Sequence, residues 1–241
     1  MTSLGNITFN THVPDSDGIV WYVAVDGWDS LPQRTSTMER PGRHGSVTVR
    51  NVFDARQLTL FGTAYCPDGV ADFWVAKEKL AAETAFLNPF TDTPLLLTVE
   101  EEVDKRLTVY RTSLQTRCID DRVLSFEATF RADDPFKYAA TASTLTTSGS
   151  ASNIGNALTY PTFTLTANGT PVLSDGTHTW QASSAITIGT VIDFEAMTVY
   201  NGATNLFANV ALASTWFGLA PGATALTSTV AGTWSWRSAW Q

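Results

Sequence analysis

The sequence predicts a mainly β protein built from two domains, the first with a single α-helix. Three observations carry that expectation. Short segments rich in Thr, Val, Ile and aromatic residues recur along the 241 residues, with Asn-Gly and Asp-Gly pairs between several of them. One good stretch alone, residues 69–86, spaces its apolar residues for a helix. Charge is concentrated on one side of residue 138. Residues 1–138 hold 14 of the 15 basic and 20 of the 23 acidic side chains, whereas residues 139–241 hold one Arg, two Asp, one Glu and 20 Thr. So abrupt a change marks a domain boundary, dividing the chain into 1–138 and 139–241. Residues 139–157, AATASTLTTSGSASNIGNA, then read as a linker or a loosely held leading strand.

In the first domain IVWYVAV (19–25) alternates, with Ile19, Trp21, Val23 and Val25 on one face, and Asp26-Gly27 closes a turn. SVTVRNV and ARQLTLFGTAY follow as strands, the second with Leu58, Leu60 and Ala64 in phase. In GVADFWVAKEKLAAETAF the apolar face is Val70, Phe73, Trp74, Leu80 and Ala81, and Asp72, Lys77, Glu78, Lys79 and Glu83 sit mostly opposite. Asp68-Gly69 starts this helix, and Asn88-Pro89 with Pro94 stops it. LLLTVEEE and RLTVYRTSL flank an acidic hairpin tip. VLSFEATF ends the domain with Leu124, Phe126, Ala128 and Phe130 on one face. The expected architecture is sandwich- or barrel-like.

The second domain shows no helical spacing. YPTFTLT, HTWQA, AITI, VIDF, MTVY, TNLF, ATALTST and GTWSWRSAW are short strands, punctuated by Asn168-Gly169, Asp175-Gly176 and Asn201-Gly202. Strands at this spacing indicate a sandwich or barrel. Trp234, Trp236 and Trp240 share parity in the last strand and are expected to face one way, into the core.

The net charge of −8 disfavours phosphate-held nucleic-acid binding and docking on an anionic membrane. MTSLGNITFN offers neither a basic n-region nor an apolar h-region, so no secretory leader is expected. The charge-free run 196–236 is broken by Thr, Asn, Ser and Gly too often for a membrane span, which needs roughly 20 apolar residues. Cys66 and Cys118 read as two buried or half-buried thiols, a bridge between them being the alternative.

Catalysis requires titratable groups that converge. His12, His44 and His178 have no ligand-spaced neighbours, so neither a metal nor a triad is expected. RPGRHGS around His44 lacks the ending and the strand-to-helix context of a phosphate-binding loop, and reads as an exposed turn. Glu100-Glu101-Glu102, Asp120-Asp121 and Asp133-Asp134 lie beside turns and strand ends, where solvation is the default rather than a hydrolase's acid pair. No catalytic residue, metal or cofactor is assigned.

As an ordered set, these features resemble a known family. A charged β domain with one helix exits through RADDPFKY. A Thr-rich β domain opens with YPTFTLT, continues through VIDFEAMTVYNG and STWFGLAPGATALTSTVAG, and ends in WSWRSAW. The chain resembles the distal tail proteins of long, non-contractile-tailed bacteriophages, also called baseplate-hub ring proteins, over nearly its whole length. The resemblance implies a structural virion protein and not an enzyme. It implies a ring, usually a hexamer, at the distal end of the tail. The N-terminal domain would form the ring with a belt extension, and the C-terminal domain would be an outward galectin-like β-sandwich. The implied partners are other copies, the tail tube protein, the tail-tip hub or tail-associated lysin, and receptor-binding proteins, with DNA passing through the lumen and no membrane involved.

Three sets of residues follow as candidates. Residues 35–46, TSTMERPGRHGS, are polar with no core-facing pattern, and with Arg34, Arg40, Arg43 and His44 they are the candidate belt; a mobile surface loop is the alternative. Glu100, Glu101, Glu102 and Asp104 are candidates for the lumen, whose wall should not trap phosphates, an outer hairpin tip being the alternative. Trp180, Trp216 and Trp240 are candidates for sugar stacking, should the second domain instead be a carbohydrate-binding module in host adsorption.

Overall fold

The computed structural model describes residues 7–9, 19–39, 44, 46–66, 70–83 and 95–241. The fold is mainly antiparallel β with one α-helix. Close contacts divide it into two compact units, Met1–Lys137 together with Gln241, and Tyr138–Trp240.

In the first unit six strands run in the order β1 (Ile7–Phe9), β6 (Leu95–Val99), β7 (Lys105–Cys118), β8 (Val123–Ala132), β5 (Arg56–Tyr65) and β2 (Val20–Asp26). The pairing of β5 with β8 sets Leu58, Leu60 and Ala64 opposite Phe130, Ala128 and Leu124. Because side chains alternate across a strand, this register puts all six on one buried face. Leu95, Leu97, Val99, Leu107 and Val109 join Leu58, Leu60 and Phe130 in the main core.

The helix α1 (Val70–Glu83) packs through a narrow seam, Ala76 with half-buried Phe73, against Ala64, Leu124, Cys66 and Ile19, and Leu80 is buried as well. Trp74, assigned to the apolar face from spacing, is instead 54% exposed. It lies one 100° step from Phe73, and a seam centred on Ala76 leaves that step in solvent. The start signal Asp68-Gly69 and the stop signals Asn88, Pro89 and Pro94 lie outside the described residues. Cys66 is buried, Cys118 is exposed, and no disulfide joins them.

Between β2 and β5 stands a separate two-stranded sheet, β3 (Gln33–Glu39) with β4 (Ser46–Phe53), bulged between Ser36 and Thr37. Residues 35–39 are therefore strand, not loop. Arg40, Arg43 and the rest of 40–43, with Gly45, lie outside the described residues.

The second unit is a sandwich. One sheet runs β10 (Ser143–Thr146), β19 (Gly232–Trp236), β12 (Thr162–Leu165), β15 (Val191–Asp193), β16 (Thr198–Asn201), β17 (Thr204–Asn205); the other runs β11 (Gly149–Asn153), β18 (Gly222–Ser228), β13 (Val172–Ser174), β14 (Thr179–Gln181). Their inner faces share one core that includes Phe163, Ile192, Phe194, Leu173, Trp180, Leu226 and Trp234. Of the two readings of residues 139–157 the leading strand holds and the linker does not: they supply β10 and β11, an edge strand for each sheet. The crossover between them is tied down from the core by the indole N–H of Trp234, which donates to the carbonyl of Thr147 (2.9 Å), and β11 by that of Trp236, which donates to Ser152 (3.0 Å). The strand expected through Trp240 breaks after Trp236, and Trp240 belongs to β20 (Ala239–Trp240), where it is half-buried.

Candidate interaction surfaces

A polar network centred on Trp28 holds the first unit's turns together, and sequence reasoning missed it. After β2, Gly27 takes φ 81° in the left-handed region, and a Cβ there would stand 2.3 Å from the carbonyl oxygen of Gln57. The turn drops Trp28 into the core at 2% exposure. Its indole N–H donates to Glu101 (2.5 Å), which also accepts from Lys105. The Lys137 ammonium lies 5.1 Å from the Trp28 ring and pairs with Asp29 at 2.7 Å. Arg56, fully buried at the start of β5, donates to the carbonyls of Trp28 and of Pro135. Asp134 accepts from the amide of Phe136 (3.1 Å), shaping the exit that reads Asp-Pro-Phe-Lys.

Burial lowers the pKa of Arg56, opposed by Asp29 and Asp134, and the guanidinium remains a cation. Burial alone would raise the pKa of Glu101. The hydrogen bonds from Lys105 and Trp28 and the charges of Lys105 and Lys137 outweigh it and hold Glu101 below the usual carboxylate range.

The expected site residues are distributed as follows. Arg34 is exposed on β3 and His44 is exposed at the far end of the hairpin. Of the acids, Glu100, Glu102 and Asp104 are exposed, but Glu101 is turned inward onto Trp28 and Lys105. Glu101 is thus a brace for the β6–β7 turn. Trp180 cannot stack on a sugar, being fully buried with its ring 5.9 Å from Trp216. Trp216 is itself half-buried under Phe207, which lies parallel to it at 6.5 Å and is the exposed aromatic here. Asp133 pairs with Arg131 (2.7 Å), and Asp175 with the exposed His178 (2.9 Å). Among the described residues no group of three or more His, Cys, Asp or Glu is placed to hold a metal. No described helix is long and apolar enough to cross a membrane.

Two open surfaces stand out. The first is the β3–β4 arm, whose exposed positions include Arg34, Ser36 and Met38. A lone two-stranded hairpin is marginally stable in water. Its base is clamped by the amide of Asp54 donating to the carbonyl of Pro32 (2.8 Å) and by an edge-to-face contact of Phe53 with Phe136 (5.6 Å). The second is a cleft of about 420 Å³ lined by Phe73, Trp74, Lys77, Thr116, Cys118 and Asp121, between α1 and the far end of β7.

Comparison of these two β units, one of them bearing a separately paired arm, with known proteins finds phage tail components similar to this chain. Residues 154–240 match the SPP1 Dit family model, described as siphovirus-type tail component, C-terminal domain. No curated protein matches the chain in sequence. Among solved structures, the SPP1 Dit (gp 19.1) protein, described as a paradigm of the hub adsorption apparatus in phages infecting Gram-positive hosts, is similar with a TM-score of 0.73 and 17% identity, over 98% of this chain and 99% of that one. A chain of the phage P2 baseplate in its activated conformation with Ca gives a TM-score of 0.56 at 7% identity, over 96% of this chain and 97% of that one. The form with Sr gives 0.53 at 8% identity, with the same coverage. The likeness establishes the fold across both units.

Proposed function

We propose that this chain is a distal tail protein. Copies of it, six by the family pattern, close a ring at the far end of a siphovirus tail. The ring joins the tail tube to the tail-tip hub or tail-associated lysin, offers a seat for receptor-binding proteins, and lets DNA through. The observation that carries this reading is the fold match to the SPP1 Dit protein over nearly the full length of both chains, together with the tail-component domain at 154–240. The protein works by contact and makes no covalent change.

A ring of identical subunits needs a head-to-tail interface that closes. The β3–β4 arm, with Arg34, Arg40, Arg43 and His44, supplies one half of it, because guanidinium groups clamp carboxylates in a fixed geometry. Glu100, Glu102 and Asp104 line the lumen, where negative charge keeps duplex DNA from adhering. The test is mass: light scattering is expected to give a species near six times 26.1 kDa, alone or with the tail tube protein present. A monomer under both conditions overturns the ring. Labelled antibody that decorates virions away from the junction of tube and tip overturns the location.

A further inference from the structure

We infer that the cleft between α1 and the end of β7 receives the β3–β4 arm of a second copy of this chain. The inference rests on the ring reading above and adds which surface accepts the arm. β6 flanks β7 only from Lys105 to Val109, but β7 runs on to Cys118. In that overhang Leu114, Thr116 and Cys118 stand opposite Ala128, Phe126 and Leu124, the buried face of β8. They therefore point to the side on which α1 packs. Arg111 fastens the helix there by donating to the carbonyl of Ala81 (3.3 Å). The cleft lies toward the other end of α1, between Phe73, Trp74 and Lys77 on one wall and Thr116, Cys118 and Asp121 on the other. Trp74, which lines the cleft, exposes 54% of its surface, a large apolar side chain left open to a contact.

Charge and shape both select the arm as the occupant. Residues 33–53 contain four Arg and one Glu, whereas the rest of residues 1–138 contains ten basic and nineteen acidic side chains. A basic arm is attracted to the acidic body of another copy, and opposite potentials of this kind set partner and register. Arg34, Ser36 and Met38 alternate onto one face of β3, and Met38, 60% exposed, is the large apolar side chain on that face. A thioether laid against the edge-to-face pair of Phe73 and Trp74 gains a sulfur–aromatic contact as well as burial. Arg34, on the same face, is then the residue to meet Asp120 and Asp121 beside the cleft.

Cys118 reports on this directly, since it lines the cleft and is exposed, while Cys66 is buried. The rate of Cys118 alkylation by N-ethylmaleimide is measured on dilute monomer and on assembled full-length protein. A drop of about ten-fold or more on assembly is expected. An oligomer whose Cys118 reacts at the monomer rate overturns the inference and leaves the ring standing; failure to form any oligomer removes both. To separate the arm from any other covering surface, Ser36→Cys is joined to Cys118 with a short bismaleimide. A ladder of linked subunits on a denaturing gel, lost in Cys118→Ser, supports arm docking. A protected oligomer that gives no ladder overturns it.

Discussion

Trp28, Arg56 and Lys137 show how single residues determine the shape of the first unit. Arg56 reaches backbone carbonyls on two separate segments, Trp28 and Pro135, which lie 28 and 79 residues away in sequence. Arg56→Met leaves both acceptors without this donor in a dry site, and a loss of about 2–4 kcal/mol is expected from urea unfolding. Glu101 gives a pH signature. Its folded pKa is depressed by its partners, so its contribution is fully present above the unfolded value of about 4.3 and is lost as pH falls through the folded value. Wild type should therefore melt higher than Glu101→Gln at pH 7, and the gap should close as pH falls through the depressed folded value. A gap that persists unchanged in acid would show that the charge of Glu101 contributes nothing.

Among the elements, α1 and β19 show opposite tolerances. Trp74 is large yet exposed, so Trp74→Ala should change the stability of the monomer by no more than about 0.5 kcal/mol, read from a denaturation midpoint. A loss of several kcal/mol would mean that the indole is core. At Gly232, on β19, an added Cβ would lie 2.2 Å from the ring of Phe163. The ring is fully buried among Trp234 and Phe194 and has little room to yield. Gly232→Ala is therefore expected to cost about 1–3 kcal/mol by overpacking. Trp234 and Trp236, expected from their parity to face the core, are part of this same packing problem. Their faces fill the sandwich, and their N–H groups hold its edge, that of Trp234 at the β10–β11 crossover and that of Trp236 on β11.

At the scale of the molecule, each unit has its own core, the first built on Leu58, Leu97 and Phe130 and the second on Phe163, Trp180 and Trp234. A fragment of residues 138–241 is expected to melt by itself in one cooperative calorimetric transition. A broad, non-cooperative melt would show that the second unit depends on the first. The scarcity of charge in that unit is compatible with its sheets: Thr hydroxyls pair across strands where ion pairs otherwise would, as Thr162 does with the carbonyl of Ser235 (3.4 Å).

Much of this was legible in the sequence because burial on one face of a strand imposes a period of two. The alternation at Leu58, Leu60 and Ala64, and at Leu124, Phe126, Ala128 and Phe130, forecast the buried faces of β5 and β8 by itself, and the 3.6-residue period located α1. Periodicity is local, so it is silent on which residues meet across the chain. Only the tertiary structure decided that Arg56 and Lys137 are buried beside Trp28, that Glu101 turns inward, that Trp74 faces out, and that residues 139–157 become two edge strands. In each case a partner distant in sequence changes what burial costs, and no local pattern records a distant partner.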